Sequence, residues 1–322
     1  MILSKRLKAD STLLAVALIW GISLVAQRIA AIHSGVLLFT GLRFLLGALV
    51  LLPFVRKPFL RQSLSPHNQE NPNYYVSMLT SIGLLGFVLF GGSALQQWGL
   101  RYTTAGNAGF ITGLYVIIVP LLLALGWRQP PRRTLWIAAL LSTLGLFLLS
   151  YTARMHLKPG DALELVGSVL WAFHIILLSR FVQRMKFLPL LVGQYLVCGL
   201  LSLIAGLLIE LNPLTLPGLA SSWGAILYSG VLSVGLGFTL QAYGQKVAPP
   251  ADAAILLSLE AVFAALFGWI LLHEAMTVVQ LLGCGLILVG MLTVQLNAPT
   301  ACCANAIAPS TPARPPSAGG TM

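Results

Sequence analysis

Long apolar runs separated by short polar loops make up most of this chain. Each run holds about twenty residues, the length that an α-helix needs to cross the hydrocarbon core of a bilayer. The pattern therefore predicts an all-α integral membrane protein with ten transmembrane helices. The predicted helices cover residues 12–31, 35–55, 76–98, 104–126, 133–151, 162–182, 188–209, 219–242, 251–272 and 277–296.

The composition agrees with this prediction. Hydrophobic residues make up 57% of the 322 residues and charged residues only 8%, whereas soluble domains carry about 25% charged residues. The net charge of +11 would suit a nucleic-acid-binding protein. The basic residues, however, lie in short clusters between apolar runs and form no patch with interleaved aromatic residues. We therefore expect the lipid bilayer as a partner, and no nucleic acid.

The distribution of basic residues predicts the orientation of the helices, because cytoplasmic loops of membrane proteins carry an excess of Lys and Arg. With the N-terminus inside and ten spans, 14 basic residues fall in inside segments and four in outside segments, while Arg43 falls within a span. This asymmetry predicts a multi-pass protein of the inner or plasma membrane with both termini in the cytoplasm.

Two terminal segments are predicted to lie outside the membrane. Residues 1–11 are basic and form the predicted cytoplasmic N-terminus. Residues 297–322 are rich in Ala, Pro, Ser and Thr. Since such a segment has little apolar surface to bury, it is predicted to be a disordered cytoplasmic tail.

The two halves of the chain resemble each other after shifts of 145 and 151 residues. Because each half holds five predicted helices, an odd number, the second copy enters the membrane upside down. Inverted repeats are common in secondary transporters, whose substrate site lies near the midplane between the repeats. A shift of 145 residues aligns LQQWG (95–99) with LQAYG (240–244), Gly145 with Gly290 and Asn107 with Asp252. A shift of 151 residues aligns Trp20 with Trp171 and Arg43 with Gln194.

Several segments resemble EamA-type members of the drug/metabolite transporter (DMT) superfamily. In the first half these are IWGISLVAQR, LRFLLGALVLLP and NAGFITGLYVIIVPLL, and in the second GDALELVGSVLWAFHIILLSR and SLEAVFAALFGWILLHEAMTVVQLLGCGLILVG. The resemblance covers residues 12–150 and 162–296, which are the predicted first and second EamA repeats. The sequence WRQPP departs from the family, because family members often have an acidic residue at that position.

The resemblance implies two inverted five-helix units around a central cavity. It also implies export of small metabolites, such as amino acids or related compounds, by alternating access. Two alternatives stay open, namely efflux of cationic compounds by a multidrug transporter and an uncoupled, channel-like facilitator. A membrane-embedded enzyme is a weaker rival, because no nucleophile or metal set stands out in the sequence.

Glu260 is the sharpest functional signal in the sequence. It lies within the apolar segment LLSLEAVFAALFGWILL, and ionisable residues at bilayer depth are costly and tend to mark function. A lone carboxylate would be strongly desolvated there. We expect it to face a water-accessible cavity and to be hydrogen-bonded by His174 or Gln96, or compensated by Arg43. The alternative is a structural hydrogen bond that ties helices together.

Two further ionisable residues lie within predicted helices. Arg43 is a candidate partner of Glu260 or a gate residue, although its side chain could also pair structurally or extend towards the interface. His174 could exchange a proton near neutral pH, which makes protons a candidate coupling ion. The alternative for His174 is a neutral side chain hydrogen-bonded inside the bundle.

Other polar and aromatic residues occupy symmetric positions and are candidates for the cavity wall. Trp20, Ser23 and Gln27 form a stripe on the first helix, and the mirror position of Trp20 is Trp171. Each could instead serve interhelical packing. The remaining candidates are the repeat mates Gln96 and Gln241, Tyr115 as the mirror position of Glu260, and Asn107 as the mirror position of Asp252.

Several residues are assigned local structural roles. Thr277 and Gln280 have capping-box spacing at the start of the tenth helix. Asp161 and Glu164 are placed at the positive end of the sixth helix. Pro120 predicts a kink in the fourth helix.

Motifs of nucleotide and metal chemistry are missing from the sequence. It contains neither a glycine-rich phosphate loop nor HExxH or another metal-ligand spacing. We therefore expect no cofactor, no metal and no enzymatic activity, and ATP is not expected to be the direct energy source. The expected ligand is a small-molecule substrate.

Overall fold

A computed structural model of the chain describes residues 2–63, 72–103, 105–151, 159–211, 215–272 and 276–297. Ten helical segments in this part are long and apolar enough to cross a membrane, which confirms the all-α membrane fold. The predicted tail lies outside the described residues, except for Asn297. The helices are α1 Ile2–His33, α2 Val36–Ser63, α3 Pro72–Tyr102, α4 Ala105–Gly113, α5 Tyr115–Leu125, α6 Arg133–Ser150, α7 Pro159–Phe181, α8 Phe187–Ile209, α9 Thr215–Ser221, α10 Trp223–Tyr228, a π-helix Ser229–Phe238, α11 Thr239–Gln245, α12 Pro250–Leu257, α13 Glu260–Leu272 and α14 Val278–Leu296.

Several helices extend beyond the apolar runs that predicted them. Helix α1 begins at Ile2, well before residue 12, and α2 ends at Ser63, well after residue 55. Hydropathy marks the part of a helix that lies in hydrocarbon, whereas polar residues can continue the same helix into water. In α1 the extension is supported by an ion pair at i, i+4 between Arg6 Nε and Asp10 Oδ2, 2.8 Å apart.

The predicted cap of the tenth helix is confirmed. The Thr277 hydroxyl accepts a hydrogen bond from the backbone N–H of Gln280 at 3.3 Å. In return, the Gln280 side chain accepts one from the backbone N–H of Thr277 at 2.9 Å. These reciprocal bonds satisfy donors that the start of α14 would otherwise leave unpaired.

The fourth and ninth spans are both interrupted in the middle. The fourth span breaks at Leu114, between α4 and α5, and the ninth at Ser258 and Leu259, between α12 and α13. The shift of 145 residues places Leu114 on Leu259, so the two breaks are equivalent in the repeat. Pro120, the predicted kink site, lies inside the continuous α5. The interruption therefore occurs more than a turn before the proline.

The eighth span contains a second irregularity that the sequence did not reveal. Residues Ser229–Phe238 form a π-helix between α10 and α11. Such segments are rare, are usually a single turn long and are found frequently at functional sites. Here the carbonyl oxygen of Ser233 accepts a hydrogen bond from Trp20 Nε1 at 3.2 Å, so the π-helix holds a side chain of the first span.

Helix pairing shows the inverted arrangement of the two halves. Helix α1 packs against the eighth and ninth spans, and its counterpart α7 packs against the third and fourth spans. Helix α2 also packs against α8, its equivalent in the second half, and α6 packs against its equivalent α14. A two-fold axis that relates the two halves accounts for these contacts, because it exchanges each helix with its equivalent. With five spans in each half, the chain therefore forms two inverted five-helix repeats, as predicted.

The contact between α6 and α14 obeys the same symmetry. A Cβ atom added at Gly145 would lie 2.6 Å from the carbonyl oxygen of Gly283, and one at Gly290 would lie 2.9 Å from that of Ala138. The shift of 145 residues converts the first pair into the second. Small residues thus let the two backbones approach closely, as is usual for helices packed within membranes.

Charged residues join several helix ends at the face where the described chain begins and ends. Asp252 Oδ2, at the start of α12, lies 2.7 Å from Arg6 Nη2 and 3.2 Å from Arg132 Nη2. Arg132 also donates to the carbonyl oxygen of Asn297 at 2.7 Å, and Asp10 pairs with Arg6. We call Arg6, Asp10, Arg132 and Asp252 the N-face ion network.

Candidate substrate cavity

A cavity lies between the two repeats, with about 490 Å³ of space not filled by atoms, part of which is open to the outside. Both repeats contribute to its wall, and the two interrupted spans reach it at their breaks. The sequence singled out eleven candidates for its wall, ten of which have side chains that the structure describes, and eight of these line it. Among the described residues, the lining consists of Trp20, Leu24, Gln27, Arg43, Gln96, Thr112, Tyr115, Trp171, Ile175, Ser233, Phe238, Gln241 and Glu260.

The two helix breaks meet at the cavity. Tyr115 is the first residue of α5 and Glu260 the first residue of α13. Both are buried, and the Tyr115 hydroxyl donates a hydrogen bond to Glu260 Oε1 at 3.3 Å. The start of a helix carries a partial positive charge, which favours a carboxylate there. The break in the ninth span therefore gives Glu260 an electrostatic stabilisation that a continuous helix would lack.

The sequence predicted other partners for Glu260, and this detail was wrong. His174, Gln96 and Arg43 were expected to compensate the carboxylate, but Tyr115 makes the hydrogen bond in the structure. The two residues are equivalent under the shift of 145 residues. Equivalent residues touch only where they lie next to the two-fold axis, so the contact places both side chains close to that axis.

Arg43 supplies a buried positive charge to the same cavity. Its side chain is 3% exposed, and its guanidinium lies over the ring of Phe44 at 5.1 Å. Its Nε atom has no hydrogen-bond partner among the described residues. The ion pairs formed between two described residues all belong to the N-face ion network. Arg43 and Glu260 therefore line one cavity without forming an ion pair with each other.

Three glutamine side chains add neutral polar groups to the wall. Gln27 Nε2 donates to Ser23 Oγ at 3.1 Å, and Gln96 Nε2 donates to Thr112 Oγ1 at 3.4 Å. The carbonyl oxygens of the Gln27 and Gln241 side chains are buried and lack a partner within the described part of the chain. Because buried polar groups are normally hydrogen-bonded, these oxygens are available to a ligand or to water.

Aromatic rings form the apolar part of the wall. The Phe238 ring lies 4.8 Å from the Trp20 ring and is stacked on the Trp171 ring at 5.9 Å. Trp20 and Trp171 are equivalent in the two repeats, so one phenylalanine of the π-helix bridges a symmetric pair. Trp20 donates its Nε1–H to the backbone of Ser233, whereas Trp171 Nε1 is unpaired among the described residues.

Two candidate residues with described side chains, His174 and Ser23, do not line the cavity. His174 is fully buried beside Trp171, and its Nε2 lies 3.0 Å from Gln194 Oε1. This contact agrees with the structural alternative for His174. Asn107 lies in α4, but its side chain is outside the described residues.

The structure also brings in residues that sequence reasoning missed. Thr112 and Phe238 line the cavity, but nothing in their sequence context separates them from packing residues. Glu164 was assigned to the positive end of the sixth helix, and this was wrong. It is the sixth residue of α7 and 0% exposed, beyond the first turn in which the helix dipole acts. An acid inside an apolar run was the signal that could have marked it.

Comparisons with known proteins agree with this architecture. A transporter of Archaeoglobus fulgidus without an assigned substrate is 29% identical over 297 residues, which cover 91% of this chain and 87% of that protein. The transporter YoaV of Bacillus subtilis is 22% identical over 286 residues, or 87% of this chain and 94% of that protein. One solved crystal structure shares the fold with a TM-score of 0.70 and 20% identity over 89% of this chain and 96% of that chain.

The family comparison covers both repeats. The EamA-like transporter family matches residues 7–151 and again residues 158–296. These matches span most of the chain and confirm the resemblance to the DMT superfamily. The two matched units, the ten spans and the cavity between the repeats lead to one conclusion: this chain is a multi-pass membrane transporter that belongs to the EamA-like transporter family.

Proposed function

We propose that this transporter exports small zwitterionic metabolites, namely amino acids or related compounds, by alternating access. The observation that carries the proposal is the placement of one basic and one acidic side chain, Arg43 and Glu260, on the wall of one cavity without an ion pair between them. An uncompensated charge in a poorly solvated site is costly. A ligand with a carboxylate for Arg43 and an amine for Glu260 would offset both charges at once.

The rest of the wall suits a ligand of this kind. Trp20, Trp171 and Phe238 could pack on an apolar side chain. The unpaired carbonyl oxygens of Gln27 and Gln241 could accept further hydrogen bonds from the ligand.

Alternating access is supported by the inverted repeats and the interrupted spans. Transporters built in this way bind substrate near the midplane and rock one unit against the other. Within the described part of the chain, the N-face ion network and the hydrogen bond from Arg132 to Asn297 tie the first, fifth, ninth and tenth spans together at one face, which supports a state closed at that face. The family resemblance supports export rather than import, and no enzymatic step is part of the proposal.

The proposal predicts which chemical groups a substrate needs. In proteoliposomes preloaded with unlabelled L-leucine, we expect counterflow of labelled L-leucine and competition by other neutral amino acids. We expect analogues that lack the carboxylate (isopentylamine) or the amine (4-methylpentanoate) to compete poorly. Arg43→Gln removes only the expected partner of the substrate carboxylate. It should therefore narrow the difference in competition between neutral amino acids and isopentylamine, which has no carboxylate. Glutamine is a matched replacement, since Gln194 occupies the equivalent position in the second repeat.

Three outcomes would contradict this function. Equal transport of the amine alone would point to efflux of cationic compounds instead. Uptake without counterflow would indicate a channel-like facilitator. Failure of every neutral amino acid to exchange or compete would remove zwitterions as the substrate class.

We further propose that the protein lies in the inner or plasma membrane with both termini in the cytoplasm. The excess of basic residues in the predicted inside segments supports this orientation. In a cysteine-free background, an impermeant thiol reagent applied to intact cells should label Lys158→Cys and not Lys57→Cys. The opposite pattern would invert the topology, and labelling of both positions would contradict the predicted number of spans.

A further inference from the structure

A second carboxyl group is buried beside the cavity. Glu164 on α7 is 0% exposed. Its Oε2 accepts a hydrogen bond from the Thr112 hydroxyl at 2.7 Å, and Thr112 Oγ1 accepts one from Gln96 Nε2 at 3.4 Å. Thr112 and Gln96 line the cavity, so a chain of two hydrogen bonds connects the cavity wall to Glu164. The other oxygen, Oε1, has no partner in the described part of the chain.

The inverted repeat shows that packing alone does not require a carboxyl group at this position. The shift of 151 residues places Leu13 on Glu164, and the shift of 145 places Gly99 on Gly244. A Cβ atom at Gly99 would lie 2.6 Å from Glu164 Cγ, and one at Gly244 would lie 2.8 Å from Leu13 Cγ. Leu13 is also fully buried. The same glycine contact is therefore made by an apolar side chain in the other repeat.

Among the described residues, the charged groups that act on Glu164 include no counter-ion. Asp161 on the same helix and Glu260 on α13 act on it electrostatically, and both are acids. Its hydrogen-bond partner Thr112 on α4 is neutral, and so is Gln96 on α3, which donates to Thr112. None of the ion pairs among the described residues includes Glu164. An ionised Glu164 in this arrangement would need water, so its charge depends on whether the site is hydrated.

Glu164 lies between the cavity and the face opposite the N-terminus. Helix α7 is the sixth span, and after five crossings it begins at the opposite face. Glu164 is its sixth residue, whereas Tyr115 and Glu260 lie at the breaks in the middle of their spans. A water molecule that reaches the cavity from the opposite face would thus pass the level of Glu164.

We propose that Glu164 is a proton-binding site of this transporter, linked to the substrate cavity through Thr112 and Gln96. When the cavity opens to the opposite face, the hydrated carboxylate takes a proton from water there. The neutral carboxyl group is then buried as that face closes, and it returns the proton to water when the site is hydrated from the N-terminal face. The role in substrate coupling rests on the proposed export function, whereas the proton binding itself does not.

Proton binding can be measured without a substrate. Infrared difference spectra of the purified protein in D₂O should show the carbonyl band of a protonated carboxyl that weakens as pD rises. In a Glu260→Gln background, which removes the other buried carboxyl group at the cavity, this band should be missing in Glu164→Gln and present in Asp161→Asn, a control that removes a neighbouring acid from the same helix. A band that does not change with pD, or one that survives in Glu164→Gln, would overturn the proposal. If neutral amino acids are not transported, this result still decides the proton site.

Coupling is measured with a pH dye enclosed in proteoliposomes, with a mixture of labelled neutral L-amino acids as the probe. We expect Glu164→Gln to reduce amino-acid-driven proton movement by about tenfold or more while counterflow at equal pH changes by less than about twofold. Glu164→Leu, which copies Leu13, should behave in the same way and tests whether the fold accepts an apolar side chain. Proton movement at the wild-type level in either folded variant would overturn the coupling role.

Discussion

Replacing Glu260 with Gln is expected to lower transport of zwitterionic substrates about a hundredfold while leaving the fold intact. Glutamine has nearly the same shape, and its side-chain carbonyl can still accept the hydrogen bond from Tyr115. What it lacks is the negative charge that would pair with a substrate amine. Loss of one partner in a buried, hydrogen-bonded charge pair costs roughly 2–5 kcal/mol, and about 2.7 kcal/mol corresponds to a hundredfold change.

The measurement is counterflow of labelled L-leucine at matched amounts of reconstituted protein. Tyr115→Phe is the matched control, because it removes the same hydrogen bond but retains the charge, and we expect it to keep most of the transport. Glu260→Ala separates folding from function through its thermal stability in detergent. Normal transport by the Gln variant across external pH would restrict Glu260 to a structural role.

The repeat explains why much of the site could be predicted from the sequence. The internal alignment identified Tyr115 as the mirror of Glu260 and paired Trp20 with Trp171 before any contacts were known. An alignment gives equivalent positions but not their distance from the symmetry axis. The contact between Tyr115 and Glu260 therefore became visible only in three dimensions, and the partners first expected for Glu260 were wrong.

The environment of individual side chains was harder to predict. In a soluble protein, an apolar face marks the interior, but in a bilayer the lipid-facing surface is apolar too. The periodicity of α7 therefore could not show that Glu164 points inwards or that His174 lies behind Trp171 rather than in the cavity. The π-helix of Ser229–Phe238 likewise has no clear sequence signal, although it brings Phe238 between the two tryptophans.

The helix breaks illustrate the same limit for the backbone. Pro120 was the obvious candidate for an irregularity, since proline removes one backbone hydrogen bond. The fourth span nevertheless breaks at Leu114 and the ninth at Ser258 and Leu259, where neither proline nor glycine marks the equivalent positions in both repeats. What distinguishes these positions is that their side chains lie near the two-fold axis between the repeats, and not the helix propensity of the local sequence.

Removing the charge of Asp252 is expected to open the N-terminal face. Asp252 is 1% exposed and holds both Arg6 and Arg132, whose side chains are 17% and 23% exposed. The mirror position at the opposite face is Asn107, so the same fold already places an asparagine there. Breaking a fully buried pair costs roughly 3–5 kcal/mol, and partial exposure of both arginines reduces this figure.

We therefore expect Asp252→Asn to shift the balance between the closed and open states by about 1.5 kcal/mol, which is roughly tenfold in population. The readout is the labelling rate of Gln241→Cys in a cysteine-free background. Gln241 lines the cavity on α11, the part of the eighth span that leads to the N-terminal face. Membrane vesicles that present this face to an impermeant thiol reagent should label about tenfold faster with Asp252→Asn.

The matched control is Asp10→Asn, which removes one partner of Arg6 but leaves both bonds to Asp252 in place. We expect it to change the labelling rate by less than about threefold, because asparagine can still accept a hydrogen bond from Arg6 and both arginines stay paired with Asp252. Thermal stability of each variant in detergent separates opening from unfolding. An unchanged labelling rate in a folded Asp252→Asn protein would mean that the N-face ion network does not hold this face closed, and a larger effect of Asp10→Asn would place the decisive contact at the start of α1 instead.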